Sequence, residues 1–94
     1  MAILENLLKP KWKNNNPEIR KKALQMTSDQ EVIAAMAKED PDRDIRKQAV
    51  KKLTDYKEIE YILMNDKSPE IRKELVEKID DAILLKKVAE QDKD

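Results

Sequence analysis

Apolar residues recur along the chain with the spacing of amphipathic helices, and the whole pattern repeats at a regular interval. The triplet Ile-Arg-Lys stands at 19–21, at 45–47 and at 71–73, which defines a 26-residue period. Apolar positions follow four and five residues after each isoleucine, on the same face of a helix. A second stripe, spaced i, i+3, i+4, follows in each unit and begins at Ile33, Ile59 and Leu85. The pattern predicts three pairs of helices and no sheet.

Helix-start signals mark the boundaries of these pairs. Asn16, Asp42 and Ser68 are residue types preferred at N-caps, and proline follows two of them at the first helical position. The pairs Ser28-Asp29, Thr54-Asp55 and Asp80-Asp81 precede the second stripes. The signals predict helices near 17–27, 30–39, 43–53, 56–65, 69–79 and 82–91, with a shorter one near 2–9.

Composition removes most catalytic chemistry. The sequence has no Gly, no Cys and no His, and so lacks phosphate-binding glycine loops, thiol nucleophiles, imidazole bases and the usual zinc ligands. Asp40, Asp42 and Asp44 resemble the start of a calcium loop, but Ile45 and Lys51 stand where that loop needs Gly and Glu. We therefore expect no enzyme, no cofactor and no metal site. No apolar run reaches the length of a membrane span, so we expect a cytoplasmic protein without membrane contact.

Two segments carry a family resemblance. Asp40-Pro-Asp-Arg-Asp-Ile45-Arg46 and Asp66-Lys-Ser-Pro-Glu-Ile71-Arg72 resemble the D-x-x-x-x-(V/I)-R signature of HEAT repeats. The short period is similar to that of phycobilisome-lyase-type HEAT-like repeats and of leucine-rich-variant repeats. The resemblance covers residues 14–94 and implies an all-α fold, a right-handed α–α superhelix. That short solenoid would contain repeats near 14–39, 40–65 and 66–94, after an N-terminal capping helix and joint within 1–13.

The same resemblance implies a structural role for the signature residues. Asp40, Arg46, Asp66 and Arg72 would form a ladder in which an arginine bonds the aspartate of a neighbouring repeat or turn. Asn14 replaces the aspartate of the first copy, so Arg20 is expected to be freer. The resemblance further implies that the helices near 17–27, 43–53 and 69–79 line a concave face. We expect the stack to be a monomer.

The net charge of zero conceals a segregation of charge. The three helices of the expected concave face, called the inner helices here, hold eleven basic and five acidic residues. The segments 29–40, 55–66 and 81–92 hold four basic and eleven acidic residues. Compensation of helix dipoles and i,i+4 pairs also produce such a pattern on a merely solvated face. The candidate partner-binding residues are one row of lysines with two neighbours: Lys21, Lys47, Lys73, Lys22 and Lys51.

Two functions are compatible with this surface. The first is a non-enzymatic protein–protein interaction scaffold that binds a protein partner through the concave face. The alternative is binding of a nucleic acid or phosphate backbone through the basic inner layer.

Overall fold

The structure is a computed structural model, and it describes residues 8–91. A 3-10 turn at Lys11–Lys13 precedes five helices: α1 (Pro17–Met26), α2 (Gln30–Glu39), α3 (Arg43–Lys52), α4 (Tyr56–Asn65) and α5 (Pro69–Gln91). Residues 8–91 contain no strand, so the predicted all-α class is confirmed. The predicted N-terminal helix near 2–9 lies almost entirely outside the described residues.

Side-chain caps explain where the first four helices begin. Asn16 and Asp42 accept hydrogen bonds from the backbone N–H two residues later, at 2.9 and 2.8 Å. Asp29 and Asp55 do the same for α2 and α4. The expected cap at Ser68 is wrong, because its buried hydroxyl has no hydrogen-bond partner within residues 8–91. Asp66 instead accepts from the Ser68 N–H.

The helices pack in two rows. In the first row α1 contacts α3 and α3 contacts α5, and in the second α2 contacts α4. The buried apolar residues between the rows follow the predicted stripes: Leu24, Ile33, Ala34, Met36, Ala37, Ile45, Ala49, Val50, Leu53, Ile59, Ile62, Ile71 and Leu75. A single helix pair has no second apolar surface that could cover its apolar stripe. Burial of the stripes between the rows is therefore the main contribution to the stability of the fold.

The third helix pair differs from the sequence prediction. Helices were expected at 69–79 and 82–91, but α5 runs unbroken from Pro69 to Gln91. At the preceding joint the Gln30 amide donates to the Lys52 carbonyl and accepts from the Thr54 N–H. Position 56, one repeat period after Gln30, holds a tyrosine, which has no amide. Within residues 8–91 the third joint lacks this bridge, and its backbone stays helical.

The second half of α5 therefore projects from the two rows. Leu84, Leu85 and Val88 are 61%, 69% and 54% exposed. The elongated dimensions of the molecule, 60 × 29 × 19 Å, include this projecting segment.

Candidate protein-interaction edge

Arg20 makes the most completely bonded ion pair of the molecule's described part. Its Nε and Nη2 donate to the two carboxylate oxygens of Asp40 at 3.0 and 3.2 Å, and Nη1 donates to the carbonyls of Asn14 and Asn15. Arg20 and Asp40 are only 8% and 6% exposed. The expectation that Arg20 is freer is wrong, because its partner is the aspartate twenty residues later and not one that precedes it.

Arg46 repeats this arrangement one unit further along. Its Nε donates to Asp66 at 3.2 Å, again across twenty residues, and its Nη1 donates to the Asp40 carbonyl at 2.9 Å. Asp40 thus bonds Arg20 through its side chain and Arg46 through its backbone. Each of the two arginines bonds the aspartate at the end of the second helix of its own pair, and the bond from Arg46 to the Asp40 carbonyl joins the two pairs.

Arg72 is the third arginine of this series, and its surroundings are different. Its side chain is exposed and makes no ion pair or hydrogen bond with any residue in 8–91, whereas its backbone N–H donates to the Ser68 carbonyl. The ladder pairs Asp66 with Arg46, so Arg72 does not take the ladder role expected of it within residues 8–91. The residue twenty positions after Arg72 is Asp92, which lies outside the described residues.

The five candidate lysines do not form a uniform basic row. Lys21 lies 3.6 Å from a carboxylate oxygen of Asp44, and Lys51 lies 3.7 Å from one of Glu74. Both pairs connect neighbouring helices of the first row. The other three lysines make no ion pair with the described residues: Lys22, Lys47 and Lys73. Of these, Lys47 is half-buried.

Two further lysines have a structural role that sequence reasoning missed. Lys52 donates to the carbonyls of Leu24 and Thr27 at the end of α1, and Lys78 donates to the Lys51 carbonyl at the end of α3. A cation at a helix C-terminus satisfies carbonyls that lack intrahelical partners and interacts favourably with the dipole. The separation of these two lysines by one repeat period was the available signal.

At the end of the stack formed by α4 and the first half of α5, some residues are exposed although the residues one repeat period earlier are buried. Val76 is 46% exposed, whereas its equivalent Val50 is fully buried. Leu63 is half-buried, whereas its equivalent Ala37 is fully buried. Together with the unpaired Arg72, these positions have the composition of an interface between helix pairs.

We call this surface the C-terminal edge. It contains a groove of about 360 Å³ lined by Leu63, Lys67, Pro69, Arg72, Lys73 and Val76. Its lining combines three apolar residues with three cations. Lys67, Arg72 and Lys73 make no ion pair within residues 8–91.

A larger groove, of about 440 Å³, lies at the opposite end of the stack. Trp12 and Met36 contribute to its lining, as do Arg20 and Asp40. The hydrogen-bonding groups of these last two residues already bond each other. This groove therefore offers apolar contact without a free charged partner from the ladder.

Comparison with known proteins gives no family assignment. No protein-family model, curated protein or solved structure matches the chain. Within the described part of the chain, no helix combines the length and apolarity needed to cross a membrane. Residues 8–91 also contain no group of three or more acidic side chains arranged to hold a metal ion.

Proposed function

We propose that the protein is a non-enzymatic protein-interaction module built from HEAT-like repeats, and that its C-terminal edge binds one amphipathic helix of a protein partner. The short right-handed solenoid implied by the family resemblance is part of this proposal. Three observations support the repeat assignment: the regular period of the sequence, the contacts along each row of helices, and the two arginine–aspartate pairs.

One observation carries the proposed binding site. At the C-terminal edge, an apolar position and a ladder arginine are exposed together, although their equivalents inside the stack are buried or ion-paired. Val76 and Arg72 are exposed, whereas Val50 is buried and Arg46 bonds Asp66. Positions that pack against or bond neighbouring helices elsewhere in the stack are therefore present at this edge, and no element within residues 8–91 covers them.

The edge specifies the chemistry of its partner. An apolar stripe would lie against Leu63 and Val76, while a carboxylate near the end of the bound helix would accept from the Arg72 guanidinium, as Asp66 does from Arg46. Charge-assisted bonds to a guanidinium are stronger and more directional than those to neutral groups. Lys67 and Lys73 would add attraction for the negative C-terminal end of that helix.

The five candidate lysines of the expected concave face support a binding site less well than the C-terminal edge does. Asp44 and Glu74 neutralise Lys21 and Lys51, and Lys52 is directed at backbone carbonyls. A nucleic acid needs several accessible cations to displace counterions from its phosphates. Of the five candidate lysines, only Lys22, Lys47 and Lys73 make no ion pair with the described residues, and Lys47 is half-buried, so this row gives less support to the nucleic-acid alternative than to a protein partner.

A stapled helical peptide with the sequence of residues 56–66 tests the proposal. This sequence carries the buried residues Ile59 and Ile62 of α4 and ends with Asp66, the ladder aspartate. We expect the labelled peptide to bind the full chain, measured by fluorescence anisotropy. Arg72→Glu and Val76→Lys should each weaken binding at least tenfold.

Lys22→Glu is the matched control, because Lys22 is an exposed, unpaired cation on α1, away from the edge. It should leave the affinity unchanged. Absence of binding, or equal loss in all three variants, would contradict the proposed site.

A further inference from the structure

We propose that the helix bound at the C-terminal edge is the projecting half of α5, residues 80–91, of a second copy of this chain. We call this segment the arm. Two chains would exchange their arms reciprocally and form a dimer. The inference rests on the proposed function, since it names the partner of the same site, and it replaces the expectation of a monomer.

The repeat register identifies the arm as a helix suited to this edge. Leu85 and Val88 stand one repeat period after Ile59 and Ile62, respectively. Ile59 and Ile62 are 1% and 2% exposed, whereas Leu85 and Val88 are 69% and 54% exposed. The arm thus carries the stripe that is buried in the second row of helices, but nothing within residues 8–91 covers it.

The apolar surface of the arm is continuous with an interface that already exists. Ile71 and Leu75, in the first half of α5, are fully buried against the core. Ala82 continues their face into the arm and, with Leu85, lines a groove beside Tyr56 of α4. A surface that extends a packed interface without interruption is a ready contact for another molecule.

Because α5 is unbroken, the arm is expected to reach the edge of a second chain and not the edge of its own chain. At 1.5 Å per residue, the arm extends about 18 Å along the α5 axis. While residues 79–82 remain helical, the arm cannot return to the edge of its own chain. Each copy has one arm and one open edge, so an exchange between two copies satisfies both and closes with two-fold symmetry.

The charges of the two surfaces are opposite in sign. The edge presents Lys67, Arg72 and Lys73. The arm carries three acidic and two basic residues: Asp80, Asp81, Glu90, Lys86 and Lys87. An arm seated at the edge of a second copy would bring Glu90, in its last turn, toward Arg72.

Light scattering after size-exclusion chromatography, over a wide range of protein concentration, tests the dimer. We expect the mass of the wild-type chain to rise from one copy to two as concentration increases. Leu85→Lys and Val88→Lys should remain monomeric at the concentration where the wild type is a dimer. Met26→Lys is the control, because Met26 is 79% exposed on α1, and it should dimerise like the wild type.

A mixing experiment establishes whether the contact is between chains. The Arg72→Asp chain and the Glu90→Arg chain should each dimerise at least tenfold more weakly than the wild type, because each places like charges together. Mixed in equal amounts, they should recover wild-type dimerisation, since the edge of each then meets an arm of opposite charge. Recovery on mixing requires exchange in trans. The helical circular dichroism of every variant serves as the folding control.

A wild-type chain that stays monomeric at every concentration overturns the inference, as does a mixture that fails to recover dimerisation. If the stapled peptide still binds the edge, only the inference falls and the proposed function stands. If the peptide fails to bind and the dimer is insensitive to Leu85→Lys and Val88→Lys, both are wrong.

Discussion

Replacing Arg20 by methionine tests the ladder at its most buried pair. Methionine retains a long apolar side chain at a position that is 8% exposed, but it removes both bonds to the Asp40 carboxylate. Among the described residues, the Asp40 carboxylate would keep only the hydrogen bond from the Asp42 N–H. Breaking a buried ion pair on one side costs about 3–5 kcal/mol, because the remaining charge is left desolvated. We expect a loss near the lower end, about 3 kcal/mol, since Asp40 retains that backbone donor.

Arg72→Met is the matched control in the same protein. Arg72 occupies the equivalent position but is exposed and makes no ion pair with the described residues. Its replacement should change the free energy of unfolding by less than about 0.5 kcal/mol, as is usual for exposed sites. The two variants thus exchange the same side chains at register-equivalent positions and differ only in their surroundings.

Urea unfolding followed by circular dichroism measures both variants, at a concentration low enough to keep the chain monomeric. A loss of about 3 kcal/mol lowers the melting temperature of a domain this small by roughly 12–24 °C. If Arg20→Met does not fold, Arg20→Lys keeps the charge, loses the forked geometry and should show a smaller loss. Equal stability of the Arg20→Met and Arg72→Met variants would refute the forward arrangement of the ladder.

Three further predictions concern single contacts. Lys52→Met should lower the free energy of unfolding in urea by about 1 kcal/mol, because it removes a cation from the end of α1. The control Lys22→Met should leave that free energy unchanged, and equal effects of the two variants would contradict the contact between Lys52 and the α1 carbonyls. Asp42→Ala should cost about 1 kcal/mol through loss of the α3 cap, and an unchanged midpoint would contradict that role. The hydrogen bond from Lys38 to Glu58 raises the pKa of Lys38 above its ordinary value of 10.5. A lysine whose pKa is raised in the folded state stabilises the fold at pH values below its ordinary pKa. Glu58→Gln should therefore lower the free energy of unfolding by about 0.5 kcal/mol at neutral pH, and this loss should disappear in alkaline unfolding measurements as Lys38 deprotonates. A loss that persists at alkaline pH would contradict the Lys38–Glu58 interaction.

Local sequence signals were sufficient for the first two helix pairs. The predicted ranges 30–39 and 56–65 coincide with α2 and α4, and α1 and α3 each end one residue earlier than predicted. These helices have a cap within two residues of their first turn and an apolar stripe of the right period, both of which are readable locally. The break expected after residue 79 could not be judged in this way. At the equivalent joint the backbone bonds a side chain more than twenty residues earlier, Gln30, which is a tertiary contact.

The candidate site required tertiary information for a similar reason. Sequence reasoning sought the partner of Arg20 before it, at Asn14, whereas the structure supplies Asp40 from the C-terminal end of α2. The row of lysines looked uniformly basic because the acids that pair with Lys21 and Lys51 are brought in by neighbouring helices. The open edge became visible only when the burial of register-equivalent positions could be compared.

An amide-resolved NMR titration of the full chain with the stapled 56–66 peptide tests the central claim most directly, because it locates the bound helix. The account predicts chemical-shift changes concentrated at the C-terminal edge, around Leu63, Arg72 and Val76, with Lys22 and Lys47 unaffected. Changes centred on Lys22 and Lys47, or no changes at saturating peptide, would contradict the claim that the C-terminal edge is the binding site.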